Sequence, residues 1–137
     1  MKAAVVGKGS VVEELAGWLG DAGLEVVNVS EVGHAVPLAS EGKVVLLVVH
    51  GSVEECETLC CCVRQLESAP VVLAVSGKDT DWEGMQALDI DGYLPEWVGR
   101  DETLARVRAA MRRCLAGSRT GIDGTSLSGI AVRSVVN

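Results

Sequence analysis

Phenylalanine is absent from this chain, and tyrosine occurs once among its 137 residues. Three tryptophans complete the aromatic set. Any core must therefore be aliphatic, and valine, arriving in short runs, supplies it; such runs favour buried parallel strands. Positive charge is also scarce. Twelve Lys and Arg stand against 19 Asp and Glu, for a formal net charge of −7. A free-standing nucleic-acid binder carries a basic stripe, whereas basic residues gather here only between positions 100 and 113, so direct nucleic-acid binding is not expected. No apolar stretch approaches the ~20 residues of a membrane span. Met1-Lys2 leads straight into a strand-like run, without the charged, apolar and cleavage regions of a signal peptide. The expectation is a cytoplasmic protein with no membrane contact. The five cysteines (Cys56, Cys60, Cys61, Cys62 and Cys114) are odd in number and irregularly spaced, which argues against a disulfide framework.

What is present suits one domain. A chain of this length buries roughly 65–70% of its unfolded surface, so it needs no disulfides to hold a core. Short Val-rich runs alternate with longer amphipathic ones. Residues 3–6 read as a first strand. Ser10 with Glu13 has the spacing of a capping box, and Val12, Leu15 and Leu19 follow at helical intervals. Residues 24–29 read as a second strand. Gly33, Pro37 and Gly42 break the pattern that follows, so any helix over 31–42 should be short. The continuous apolar run 44–49 suits a central strand buried on both faces. Ser52 with Glu55 makes a second capping box, and Cys56, Leu59, Cys60, Val63 and Leu66 form one helical stripe. Residues 71–75 give a fourth strand, 81–88 a short helix, and 92–94 a short fifth strand. Asp101 is placed to cap a last helix with Leu104, Val107, Met111 and Leu115 on its core face. This βα alternation implies a parallel sheet with helices on both faces, and sites of such sheets lie outside the carboxyl ends of the strands. From residue 117 the composition turns to Gly, Ser and Thr, so 1–116 reads as the domain and 117–137 as a flexible tail or linker.

The run Ala87-Leu88-Asp89-Ile90-Asp91-Gly92-Tyr93-Leu94-Pro95-Glu96-Trp97, with the helix Leu104 to Arg113 after it and the Pro70-Val71-Val72-Leu73-Ala74-Val75 strand before it, resembles the end of a response-regulator receiver domain. The resemblance covers about residues 1–116 in architecture and is specific over about 70–116. It implies a doubly wound, flavodoxin-like three-layer α/β fold: a five-stranded parallel sheet in the order 2-1-3-4-5. It also implies a phosphorylation site, from which this sequence departs at every position. The acidic pair that would bind Mg²⁺ corresponds to Gly7 and Lys8. The phospho-acceptor aspartate falls on Val48, within one or two residues, and Val49, His50 and Gly51 are not aspartate either. The Thr or Ser that contacts the phosphoryl group falls on Val75, beside Ser76, and the Lys falls on Glu96. Mg²⁺ wants hard oxygen ligands, which these side chains do not provide. The resemblance therefore implies a pseudo-receiver: no enzyme, no cofactor, no metal, and a regulatory role through protein contacts. The family's interaction face maps to Tyr93, Trp97, Arg106 and Arg113, with Arg108 and Arg112 on the same helix. The partner would be an effector, a sensor or a second copy of the chain. A half-buried Tyr93 and a solvated arginine face are the plainer readings of those residues.

Two other constellations compete. Gly7-Lys8-Gly9-Ser10, between a strand and a helix, fits the opening of a dinucleotide-binding turn, with Glu31 near the ribose-binding position. Val12 stands where the third glycine belongs, where its Cβ crowds the helix–strand contact. A nucleotide-binding regulatory domain, or an anion held by Lys8 and free helix-start amides, is the alternative to the signalling reading. Cys56 and Cys60, at i and i+4, share a helix face that two thiolates could use for one metal ion. With no second cluster, Cys56, Cys60 and Cys62 read as small apolar core groups, and Cys61 as an exposed thiol.

Overall fold

The computed structural model describes residues 1–122, with side chains as far as residue 114. In chain order the elements are β1 (Lys2–Val6), α1 (Ser10–Asp21), β2 (Glu25–Val29), α2 (Val32–Ser40), β3 (Leu46–Val49), α3 (Val53–Val63), β4 (Val71–Ser76), α4 (Trp82–Gln86), β5 (Gly92–Pro95) and α5 (Arg100–Ile122). The five strands are all parallel and lie in the order β2-β1-β3-β4-β5, as expected from the sequence.

Burial explains why the strands are apolar runs. Every residue of β3 and β4 is buried, because helices cover both faces of a parallel sheet. Alternation along β3 sends Leu46 and Val48 into the layer under α1 and α5. Leu47 and Val49 go into the opposite layer, with Leu59, Val63 and Met85. Among the described residues no helix is long and apolar enough to cross a membrane.

The helix starts divide. Ser52 caps α3 as expected: its Oγ accepts from Glu55 N at 3.2 Å, and Ser52 N donates to Glu55 Oε1 at 2.9 Å, an arrangement that contributes about 1 kcal/mol. Ser10 does not cap α1. Gly9 takes the capping position and leaves Ser10 as the first helical residue, with no side-chain cap bond. Asp101 likewise lies inside the first turn of α5. There its charge still favours the helix through the dipole. From Val32 to Ser40 the chain forms a nine-residue α2 despite Gly33 and Pro37, because Val32, Ala35 and Ala39 all bury against the sheet and tertiary packing outweighs propensity. On α5, Leu104, Val107 and Ala110 are buried and Met111 is partly so; Leu115 lies beyond the described side chains. Residues 117–122 of the segment read as a tail are helical, and 123–137 lie outside the described residues.

The cysteines of α3 sort by face. Cys56 and Cys60 are buried and Cys61 is exposed, whereas Cys62, expected in the core, is only half-buried. Burial, followed by the neighbouring Cys60 and Glu55, pushes the Cys56 thiol from 9.0 up to about 11. Burial also raises the Cys60 thiol, against the pull of Arg64. A thiol raised in the folded state favours folding below its unfolded value, and that contribution is lost as pH climbs through the folded value. The urea midpoint should therefore hold steady up to about pH 9 and fall between there and pH 11. Cys56→Ala should make that fall shallower. At neutral pH a thiol reagent should label Cys61 in the folded protein and reach Cys56 and Cys60 only on unfolding.

Candidate functional site at the carboxyl ends of the strands

Three strand ends converge on the site. After β3, His50 N donates to Val6 O at 2.8 Å, which carries the β1–β3 pairing one residue past the strand. After β5, Glu96 N donates to Ser76 O at 2.8 Å and does the same for β4. These bonds bring the two side chains together: His50 Nε2 lies 3.9 Å from Glu96 Oε2. Each is about one-third exposed (33% and 35%). The separation is too long for a hydrogen bond and short enough for attraction whenever His50 carries a proton.

Two glycines make the arrangement possible. Gly7, at the end of β1, has φ +136°, and a Cβ there would sit 2.6 Å from His50 O and 3.2 Å from Val12 Cγ2. Gly77, at the end of β4, lies directly under the Glu96 carboxylate, in space that a Cβ would need.

The pair opens onto a cavity of about 790 Å³. The β3–α3 turn lines it from one side with Ser52, Val53 and Glu54, and the β4–α4 loop from the other with Lys78, Asp79 and Asp81. Val75 and Met85 are apolar wall, and Trp97 forms part of the rim. The loop is closed by its own bonds: Gly77 N donates to Thr80 Oγ1 at 2.7 Å, and Gly84 N to Asp81 Oδ1 at 3.1 Å. The lining carries four carboxylates, of Glu54, Asp79, Asp81 and Glu96, and one ammonium, of Lys78, so the cavity is net negative.

Of the positions singled out in the sequence, Val75, Glu96 and Trp97 meet here. Val48 does not. It is fully buried under α1 and α5, and His50 is the residue that leaves the end of β3 and lines the cavity. Ser76 is buried and its Oγ has no partner. The Gly7-Lys8-Gly9-Ser10 turn takes no part in the lining. There, Val12 is buried in the core where a dinucleotide turn requires glycine. Tyr93 is half-buried; its hydroxyl donates to Met85 O at 3.1 Å rather than to solvent. Its ring meets Trp82 edge-on, with centroids 5.2 Å apart at 65°, a favourable aromatic geometry. Arg106 is engaged by Glu102 on its own helix, at 2.9 Å, and Arg113 Nη2 donates to Asp91 O at 3.3 Å.

No protein-family model and no curated protein matches the sequence. Solved structures do. The chain superimposes on the N-terminal domain of a response regulator/sensory box/GGDEF three-domain protein from Carboxydothermus hydrogenoformans with a TM-score of 0.73 at 18% identity, covering 86% of this chain and 99% of that one. The signal receiver domain of an HD domain-containing protein from Pseudomonas fluorescens Pf-5 gives 0.72 at 17%, covering 86% and 91%. This is the receiver fold. A third receiver structure, from a sensor histidine kinase of Pseudomonas aeruginosa PAO1, carries a magnesium ion coordinated in its active site cleft; it matches with a TM-score of 0.68 at 16% identity, covering 80% of this chain and 96% of that one.

The residues that this chain places on the receiver fold do not suit such an ion. Gly7 has no side chain and no room for one, the adjacent Lys8 is cationic, and Val48 is apolar and buried. Among the described residues no group of three or more His, Cys, Asp or Glu is placed to hold a metal.

Proposed function

We propose that this chain is a signalling module of the two-component type that acts through protein contacts and accepts no phosphoryl group. The observation that carries the reading is the end of β1. Where the receiver resemblance calls for a carboxylate, backbone conformation and the His50 carbonyl leave no space for any side chain. Electrostatics point the same way. A phosphoryl group carries close to two negative charges, and the cavity already gathers four carboxylates around a single lysine. His50, the one nucleophile at the end of β3, has the Glu96 carboxylate 3.9 Å away, where a phosphoryl group would meet like charge.

The surface remains available for contact. Trp97 is 64% exposed and Trp82 is 41% exposed, and indoles are favoured anchors of protein interfaces. The module would act in the cytoplasm without catalysis, on an effector, a sensor or a second copy. Incubation with acetyl phosphate and Mg²⁺, followed by intact-mass measurement, tests the central point. No phosphoryl adduct is expected, and a stoichiometric acid-labile adduct would overturn the reading.

A further inference from the structure

We infer that the cavity at the carboxyl ends of β3, β4 and β5 receives an arginine side chain presented by a partner protein. The inference rests on the protein-contact reading above and names the chemistry of the contact. Its first support is the state of Glu96. Gly77 lets its carboxylate lie against the backbone, yet among the described residues its side chain, 35% exposed, has no hydrogen-bond donor and only His50 nearby, at 3.9 Å. A carboxylate short of protein donors favours a ligand that brings N–H groups and positive charge.

The second support is Trp97. It follows Glu96 directly, lines the same cavity and leaves 64% of its surface exposed. A carboxylate beside an open indole face recognises a planar cation: the guanidinium can pair with the oxygens in parallel and stack on the ring. Lysine, a hydrated point charge, uses neither feature as well.

The third support is the size of the cavity. Volume sets the class of occupant. At about 790 Å³ the cavity exceeds what one side chain fills and lies in the range of sites that enclose a larger ligand, so a segment of chain carrying the arginine fits better than a small cation. Glu54, Asp79 and Asp81 around it would steer such a segment and speed its approach.

The test titrates the full chain with a blocked Gly-Arg-Gly peptide and with its citrulline counterpart, which keeps the shape and loses the charge. Tryptophan fluorescence and calorimetry report binding. Saturable binding of the arginine peptide is expected, weakened about tenfold by Glu96→Gln, which corresponds to the loss of one charged hydrogen bond. Trp97→Ala should weaken it about fivefold, and Glu67→Gln, on the exposed surface elsewhere, should leave it unchanged. Circular dichroism checks that each variant folds. Absence of binding, equal binding of the citrulline peptide, or equal effects of the Glu96 and Glu67 changes would overturn the inference. Phosphodonor labelling separates the two ideas: a labelled protein sinks the protein-contact reading, whereas an unlabelled protein indifferent to arginine sinks only this one.

Discussion

Gly7→Asp, the substitution that would restore a carboxylate to the end of β1, is expected to destabilise the protein by about 3 kcal/mol and to create no Mg²⁺ site. Two costs add. A non-glycine residue at φ +136° is strained whatever surrounds it. The new Cβ would also lie 2.6 Å from the His50 carbonyl oxygen, inside van der Waals contact, and neither side can yield cheaply. Gly7 N is bonded to Val29 O at 2.8 Å, and His50 N to Val6 O at 2.8 Å, so relief would break pairing in the middle of the sheet. Gly9→Asp is the control. Gly9 shares the positive φ, +108°, and its backbone strain, but a Cβ there meets nothing. That variant carries the strain without the clash and should lose less, about 1–2 kcal/mol. Denaturant unfolding of both proteins measures the difference. Equal losses would show that the His50 contact contributes nothing and that position 7 is open to a side chain after all.

The same corner shows where sequence reading succeeds and where it stops. Strand identity was legible because burial on both faces forces continuous apolar runs, as in β3 and β4, whereas the strand order followed from the receiver resemblance alone. The α3 cap was legible because Ser52 and Glu55 interact within one turn. The same spacing at Ser10 misled, because Gly9 adopts a conformation that moves the start of α1 one residue earlier, and a two-residue motif carries no record of φ. The receiver resemblance places the acceptor position on Val48 only to within one or two residues, because an apolar run does not show where pairing ceases. Pairing carries on through His50, so the residue that faces the cavity comes two positions later. The approach of His50 to Glu96 was not legible at all, since it depends on how two separate strand ends extend and on Gly77 leaving room.

Glu96 and His50 also connect the fold to the proposed role. Where the receiver resemblance implies a lysine after β5 and an aspartate after β3, this chain has a carboxylate and an imidazole, which moves the negative charge from the end of β3 to the end of β5. The scaffold that would steady an anionic group therefore presents a net negative hollow. Coulomb attraction there acts on cations.

Asp91→Ala should be comparably damaging, at about 3 kcal/mol, for a reason that lies outside the cavity. Charged residues ahead of β5 look like ordinary loop charge in the sequence, but the Asp91 side chain is only 9% exposed. Its Oδ2 accepts from Val72 N at 2.8 Å, while Asp91 N donates to Val72 O at 2.9 Å. The carboxylate thus stands in for a strand carbonyl just before the β4–β5 pairing begins at Leu73 and Gly92. Arg64, from the end of α3, reaches the same carboxylate at 3.4 Å and bonds to Asp89 through both its backbone oxygen and its carboxylate, the latter at 3.1 Å. One side chain therefore ties α3, β4 and β5 together. Alanine would leave the Val72 amide unpaired beside a buried side chain, at a cost of about 1–3 kcal/mol, and would remove one of the Arg64 contacts. Asparagine keeps an acceptor for Val72 and loses only the charge, so Asp91→Asn should cost about 1 kcal/mol. A double-mutant cycle with Arg64→Ala should return a coupling of about 1 kcal/mol for the partly buried pair, and amide exchange at Val72 should accelerate in Asp91→Ala more than in Asp91→Asn. If the alanine and asparagine variants unfold at the same denaturant concentration, Val72 is not relying on the carboxylate, and the α3–β4–β5 junction is held by apolar packing alone.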